Sequence, residues 1–353
     1  MPKPAIRIIM THYLKWPLIF TAIGLLLAAL LGYNTTGTLT GTLSFLIIGV
    51  VLAVLEISLS FDNAIVNANK LRYMSPVWQH RFLTWGIVIA VFGMRIVFPL
   101  MVVAVAAKIS PWAAVHLALV RPGEYSVIIG EAHGAIAAFG GTFLMMVALT
   151  FFIDKDKEVD WIQGLECRMR RWASIRGLEI AFVLLIVVAF AWAQDPLHAA
   201  SFLFAAVFGL LTFQFVEIAG RLLDASNEAR DMARAGGLGA FLYLEVLDAS
   251  FSFDGVIGAF ALTTNLVLIA IGLGIGAFYV RAMTIMLVER ETLTHFRFLE
   301  HGAFYSILAL SVIMFAQSVV EIPEVITGII GAGLIGVSLM SSLRYNRRQQ
   351  AAE

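Results

Sequence analysis

Charge is scarce in this 353-residue chain. Asp, Glu, Lys and Arg make up 14% of it, where a soluble domain carries roughly a quarter. The charges also cancel, 24 Lys and Arg against 24 Asp and Glu. No basic surface for nucleic acid is therefore expected. Cysteine is all but missing. The lone Cys167 excludes a disulfide framework within the chain and a cysteine-rich metal site. Its position in a charged loop makes it incidental.

Apolar sequence fills the space that charge leaves. Hydrophobic residues reach 60% and mean hydropathy is +0.89. Charge clusters divide the chain into apolar runs of about 16–28 residues, the length of membrane-crossing helices. The expected fold class is all-α: a polytopic membrane helical bundle. Ten spans are expected, near 17–32, 41–69, 82–107, 134–153, 177–194, 199–216, 239–262, 266–288, 300–318 and 324–343. The opening "MPKPAIRIIMTHYLKW" has a long charged lead and no clean small-x-small cleavage site, so it reads as an uncleaved first span rather than a signal peptide.

Basic residues test that count. With ten spans, Lys3, Arg7 and Lys15, then Lys70, Arg72 and Arg81, then the cluster Lys155 to Arg176, all fall on one side. Arg221, Arg230 and Arg234, Arg290 and Arg297, and Arg344 to Arg348 join them. The opposite loops hold almost no Lys or Arg, apart from Lys108 and Arg121. The positive-inside tendency places both termini in the cytoplasm, with the protein in the cell's inner membrane. Segment 109–131 is too short to span and is expected at the outer interface. The basic amphipathic stretch "WIQGLECRMRRWASIR" (161–176) is expected to rest on the cytoplasmic membrane surface.

Three short correspondences recur in one order. "LEISLSFDN" (55–63) matches "LDASFSFDG" (247–255), "GIVIAVFGMR" (86–95) matches "GLGIGAFYVR" (272–281), and "AHGA" (132–135) matches "EHGA" (300–303). The repeats start at the second and seventh expected spans, so an odd number of crossings turns one against the other. Two inverted three-helix repeats are expected, 41–153 and 239–343, joined by a cytoplasmic loop and two linking spans over 154–238, all within one membrane domain. That plan is common in secondary transporters, with the site at mid-bilayer.

The repeated motif carries acids where acids are costly. On an ideal helix Glu56, Ser60, Asn63 and Asn67 share one face, as do Glu245, Asp248, Ser252 and Gly255. Asp62 and Asp254 fall about 120° off those stripes. Either the helix unwinds locally beside Asn63 and Gly255, or these aspartates meet other neighbours. The bases at that depth are Arg95 and Arg281, too few for Glu56, Asp62, Glu245, Asp248 and Asp254. Excess carboxylates take up protons or a cation. Carboxylate, amide and hydroxyl oxygens suit Mn²⁺, Mg²⁺ or Ca²⁺. The expected metal ligands are Glu56, Asp62, Glu245, Asp248, Asp254, Ser60, Asn63 and Ser252, with Arg95 and Arg281 as counter-charges. The bland alternative is a pair of structural bridges, Asp62–Arg95 and Asp254–Arg281. Ser58 and Ser250 are expected to bond the backbone. His133 and His301 read as satisfied or snorkelling interfacial histidines, and "GIIGAGLIG" (328–336) as small-residue helix packing.

These motifs resemble a known family. "EISLSFDN", "QHRFLTWGI" with its downstream arginine, "YLEVLDASFSFDG" and "RFLEHGAFYSILALSVIMFA" are similar to the TerC family of integral membrane proteins, linked to tellurite resistance and related to LysE-type exporters. The likeness covers about 41–107 and 238–340. It implies Mn²⁺ export, with the motif acids at Glu56, Asp62, Glu245, Asp248 and Asp254. The second family motif usually ends Asp-Ser, where this chain has Asp254 and Gly255. Together the residues and the resemblance lead to an expected divalent-cation exporter, Mn²⁺ most of all, with protonation of Glu56 or Asp254 as a route to coupling. The cation is substrate, and no permanent cofactor is expected. Membrane lipid and the ion are the expected partners, with a homo-oligomer left open. The alternatives are an intramembrane hydrolase built on an aspartate pair, which lacks any Gly-x-Gly-Asp signature here, and a membrane scaffold of a stress complex.

Overall fold

The computed structural model describes residues 13–154, 157, 159–172, 177–228, 237–290, 292–320 and 322–350. Within helices the side chains of Asp254, Phe253, Ile257, residues 221–228 and a few others lie outside the description. The same holds for the basic residues Lys3, Arg7, Lys155, Arg176, Arg230 and Arg234 that entered the topology argument.

Helix is the sole regular structure among the described residues. In lipid this is forced, because each backbone N–H and C=O must find its partner within the segment. Among the described residues, eight helices are long and apolar enough to cross a bilayer. They are α1 (Lys15–Thr36), α2 (Leu39–Leu59), the composite Pro76–Val105, α7 (Pro122–Ile153), α10 (Pro196–Glu228), α12 (Leu266–Glu289), α14 (Leu299–Gln317) and α15 (Glu324–Gln350). The other two expected spans are also helical. Helix α9 (Leu178–Ala193) has 16 residues, and α11 (Leu238–Leu262) carries Glu245, Asp248 and Asp254. The remaining elements are α3 (Phe61–Leu71), α6 (Pro111–Val120), α8 (Gln163–Trp172) and α13 (Thr292–His295). The protein is a multi-pass, all-α membrane bundle. Its outward face shows this directly: Trp192 is 91% exposed, Phe204 79% and Leu185 69%, an apolar surface that water would not tolerate on this scale.

Three expectations need correction. The span 41–69 is two helices. Ser60 (φ −101°, ψ 14°) separates α2 from α3, yet its N–H reaches the Glu56 carbonyl at 3.0 Å and its carbonyl accepts from Ala64 at 3.1 Å. The backbone is therefore kinked rather than unwound, and α11 runs through Gly255 without a break. Residues 122–131 are not separate from the fourth span but form the first turns of α7. The third span is not uniform. It runs as α4 (Pro76–Val88), a π-helix over Ile89–Val97, and α5 (Phe98–Ala106). Pro99 supplies a reason. It has no N–H to return to the carbonyl a turn back, and the ladder widens just before it. The Phe98 N–H bonds the Gly93 carbonyl, five residues back.

The chain divides into two compact units. The first comprises Met1–Ala64, Gln79–Ala132 and Phe251–Met286, and the second Ile65–Trp78, His133–Ser250 and Leu287–Glu353. In the first, α1 and α2 form a hairpin. Gly37 takes φ +64°, a conformation glycine adopts at no steric cost. Its N–H caps the Tyr33 carbonyl at 2.8 Å, and the Thr38 hydroxyl then accepts from the Gly41 N–H at 3.1 Å to start α2. The core of this unit holds Leu52, Val103, Tyr125, Val256, Phe260 and Leu273, all under 9% exposed. In the second unit aromatics dominate: Phe151 stacks on Phe304 with centroids 3.8 Å apart, and Phe143 meets Phe213 edge-on.

Glycines set one close approach that matters for the site. A Cβ at Gly272 would stand 2.5 Å from the Leu52 Cβ, and one at Gly276 would stand 2.5 Å from the Glu56 Cβ and Cγ. Gly272 and Gly276, four apart on α12, let it lie against α2 as small residues do between membrane helices. Of the 328–336 glycines expected to pack, Gly333 and Gly336 have nothing within 4 Å of where a Cβ would stand, while Gly302 of α14 lies against Ser338 and the Leu334 carbonyl of α15.

Candidate functional site

In the first unit a carboxylate and a guanidinium share the interior. Glu56, one turn before the end of α2, is 3% exposed, and so is Arg95 in the π-helix. Arg95 Nη2 donates to Glu56 Oε1, and Nη1 donates to the Ala90 carbonyl. The Ser60 hydroxyl donates to the same carboxylate oxygen at 3.3 Å. Gly255 and Gly276 make the room: a Cβ at Gly255 would lie 3.1 Å from Glu56 Oε2. The π register has a local consequence. A wide turn leaves carbonyls poorly matched to the α ladder, and the Arg95 side chain folds back onto one of them. Arg95 is expected as a counter-charge to the acid cluster, with Asp62 its partner in the bland alternative; the structure pairs it with Glu56.

Asp62 and Asn63, the first residues of α3 after Phe61, are 5% and 3% exposed. The Asp62 carboxylate accepts the Asn63 N–H at 2.9 Å, so it serves the open end of a helix. Ser252 is 6% exposed. Arg281, the repeat counterpart of Arg95, stands over the Phe82 ring at 4.3 Å; Asp254, its expected partner, lies outside the described side chains. The two repeats correspond at their first serines: Ser58 donates to the Val54 carbonyl at 2.8 Å and Ser250 to the Val246 carbonyl at 2.9 Å.

The second unit holds the other acids. Glu245 is 9% exposed, and the Asn67 amide, 3% exposed, donates from Nδ2 to Asp248 Oδ1 at 3.3 Å. Turning that amide over would set its oxygen against a carboxylate, so the orientation is fixed by charge. Asn67 Oδ1 is buried, with no hydrogen-bond partner among the described residues. Lys70 sits 5.5 Å over the Tyr243 ring. Sequence reasoning missed Glu300. It accepts from Asn69 at 2.5 Å and pairs with Arg72 at 3.5 Å. Its sequence signal is an acid at the very start of an apolar span, next to His301.

Among the described residues no three His, Cys, Asp or Glu side chains gather closely enough to hold a metal ion.

Residues 61–349, from Asp62 through Arg95, Glu245, Asp248 and Glu300, match a family described as a protein of unknown function, DUF475. The chain belongs to the DUF475 family. No curated protein and no solved structure matches it. Glu56 and Ser60 lie just ahead of the matched residues.

The most complete polar network of this DUF475 member lies elsewhere in the second unit, in the linker after α7. Helix α8 forms where the amphipathic pattern was seen, but its inward face carries an acid. Glu166 is fully buried. It accepts from Lys157 Nζ at 2.6 Å, from the Ile162 and Trp161 N–H groups at 3.0 and 3.2 Å, and from the Tyr305 hydroxyl at 3.1 Å. His301 Nε2 stands 3.5 Å away and meets the Val159 carbonyl at 2.8 Å. Burial alone would raise the Glu166 pKa, but the Ile162 N–H, Lys157 and His301 outweigh it and hold the carboxyl below its ordinary value. Lys157 also lies over Phe151 and Phe152, at 5.2 and 5.3 Å. This hub ties the linker to α14. His301, read as interfacial from sequence, is 3% exposed within it.

Proposed function

We propose that this DUF475 protein is a membrane transporter of a small hard cation, a divalent ion such as Mn²⁺, and not an enzyme. One observation carries the reading. Glu56, Asp62 and Glu245, at 3%, 5% and 9% exposure, are buried in apolar bundle helices, in a sequence that offers only Arg95 and Arg281 as bases at that depth. A buried carboxylate pairs, protonates or binds a cation, and those three states are the working parts of an exchanger. Arg95 in this reading is a tethered cation. It occupies Glu56 when the substrate ion is absent, and the ion competes with it. The oxygens of Asp62, Asn63, Ser60, Ser252 and Asp254 in the first unit, and of Glu245 and Asp248 in the second, are the ion's ligands in this reading. Protons taken up by Glu56 or Asp254 as the ion leaves couple outward movement of the ion to inward proton flow. The likeness of 41–107 and 238–340 to TerC proteins supports the same chemistry. The one-sided basic loops support an inner-membrane protein with both termini in the cytoplasm.

The experiment is Mn²⁺ flux into or out of proteoliposomes holding purified protein, against Mg²⁺, Ca²⁺ and Zn²⁺. Asp62→Asn keeps the acceptor for the Asn63 N–H and removes the charge. It is expected to insert and fold as the parent does and to lose flux. Equal flux with Asp62→Asn, or none above protein-free vesicles with the parent, refutes the reading.

A further inference from the structure

A groove of about 690 Å³ runs along the first unit, walled by α1, the π-helix and its flanks, α6 and α12. Among the residues lining it none carries a charged or hydrogen-bonding side chain. We propose that it is a binding site for one acyl chain of a membrane phospholipid, and that the chain packs against the π-helix that presents Arg95.

Dimensions favour a hydrocarbon tail. One wall runs from Val88 to Leu100 and another from Leu266 to Phe278. The α12 wall covers about 18 Å at ~1.5 Å per residue, close to the ~15 Å of hydrocarbon in one leaflet, and the π-helical wall, wider per turn, is somewhat shorter. Phe20 and Phe278, stacked 3.7 Å apart, contribute lining at one end. The side toward the bilayer is open: Phe92 is 57% exposed and Leu119 63%. Gly274 keeps the floor low, since a Cβ there would meet only the Val91 Cγ1, at 3.5 Å. Water gains nothing in such a space, because an apolar cavity without polar partners stays dry. Within a bilayer the hydrophobic effect does not distinguish a tail in the groove from a tail outside it. What holds the chain is dispersion contact on several sides at once, which an empty groove forfeits.

The position gives the site a consequence. Val91, Phe92 and Ile96 line the groove and belong to the π-helix, in which Arg95 reaches inward to Glu56. A tail filling the groove supports that wide turn from outside and so favours the register in which Arg95 and Glu56 meet.

The test is photolabelling in nanodiscs of phosphatidylcholine doped with a lipid bearing a diazirine on one acyl chain, with labelled positions read by mass spectrometry. Labelling is expected to concentrate at Phe92, Ile96 and Leu119 over Leu185 and Phe204, which lie on the exposed face of α9 and α10. Gly274→Leu and Val115→Phe, on different walls, should each reduce it to the level of those reference positions while the protein elutes and melts as the parent does. Labelling spread evenly over all five positions, enrichment unchanged in both variants, or a crosslink from a second copy in the groove overturns the proposal. None of these readouts involves ion flux, so the site stands or falls separately from the transport reading.

Discussion

The Glu56 carboxylate and the Arg95 guanidinium meet inside an apolar bundle, and the helix that brings Arg95 there is in π rather than α register. Two charges removed from water gain little from each other beyond what their desolvation costs, but either one left alone is strongly unfavourable. The pair thus holds the third span in place less by its own strength than by the penalty for separating it.

Single and double substitutions should expose that asymmetry. Arg95→Leu leaves Glu56 with Ser60 as its remaining side-chain donor, and is expected to lower stability by about 3–5 kcal/mol, less whatever Glu56 recovers by taking up a proton. Glu56→Leu with Arg95→Leu removes both charges and should recover most of that loss. The melting temperature in detergent reads both. Transport behaves differently, since the double variant has lost the competing cation and the ligand together and should carry no Mn²⁺. A stable single variant would mean that the pair is not isolated from water.

Asn67 and Asp248 offer a second contrast. Asn67→Leu removes the donor at 3.3 Å from Asp248 and should cost about 1 kcal/mol, the usual net worth of one hydrogen bond. Asn67→Asp instead sets two carboxylates together, and like charges at that range cannot both ionise without a counter-ion. That variant should melt lower at neutral pH and be rescued by millimolar Mn²⁺, with rescue lost in the additional presence of Asp248→Asn. Rescue by Mn²⁺ of the Leu variant to the same degree would place the ion elsewhere.

Much of this arrangement can be read from residue order. Glu56 and Ser60 share a helix face by spacing, and they touch. Ser58 and Ser250, aligned by the internal repeat, make the same backbone bond. Helix α11 keeps its helical form despite three acids because its backbone bonds are internal. What spacing could not convey was register. The π-helix arises from a ladder defect near Pro99, and one extra residue per turn changes which acid Arg95 meets. Nor does local pattern report the Glu166 hub, which joins the nearby Lys157 to His301 and Tyr305 of the distant helix α14. An amphipathic helix reads alike whether its inner face meets lipid or protein.

That hub should be sensitive to acid. The Glu166 carboxyl is held below its ordinary value in the folded protein, so its contribution to stability is fully present above about pH 4.3, the unfolded value, and is lost as pH falls through the lower folded one. Hydrogen exchange over residues 159–172 is expected to speed up on acidification through that window. Glu166→Gln should exchange faster at neutral pH, where Lys157 loses its closer carboxylate and keeps Asp160 at 3.5 Å, and should show little further change with acid. An equally steep acid response in the Gln variant would assign it to other carboxylates.

Gly276 and Gly336 differ in what stands opposite them, and alanine should report the difference. At Gly276 the new methyl would press on the Glu56 Cβ and Cγ at 2.5 Å, with the Ala53 carbonyl at 3.1 Å. The Glu56 stem is fixed by α2 and its carboxylate by Arg95, so α12 itself must move. Overpacking of this kind costs about 1–3 kcal/mol, and the shift should also weaken the Glu56–Arg95 contact. At Gly336 a Cβ meets nothing within 4 Å, and alanine there should be neutral or raise stability by about 0.5–1 kcal/mol through helix preference alone. Equal melting temperatures for the two variants would mean that α12 does not lie against α2 as closely as Gly272 and Gly276 allow.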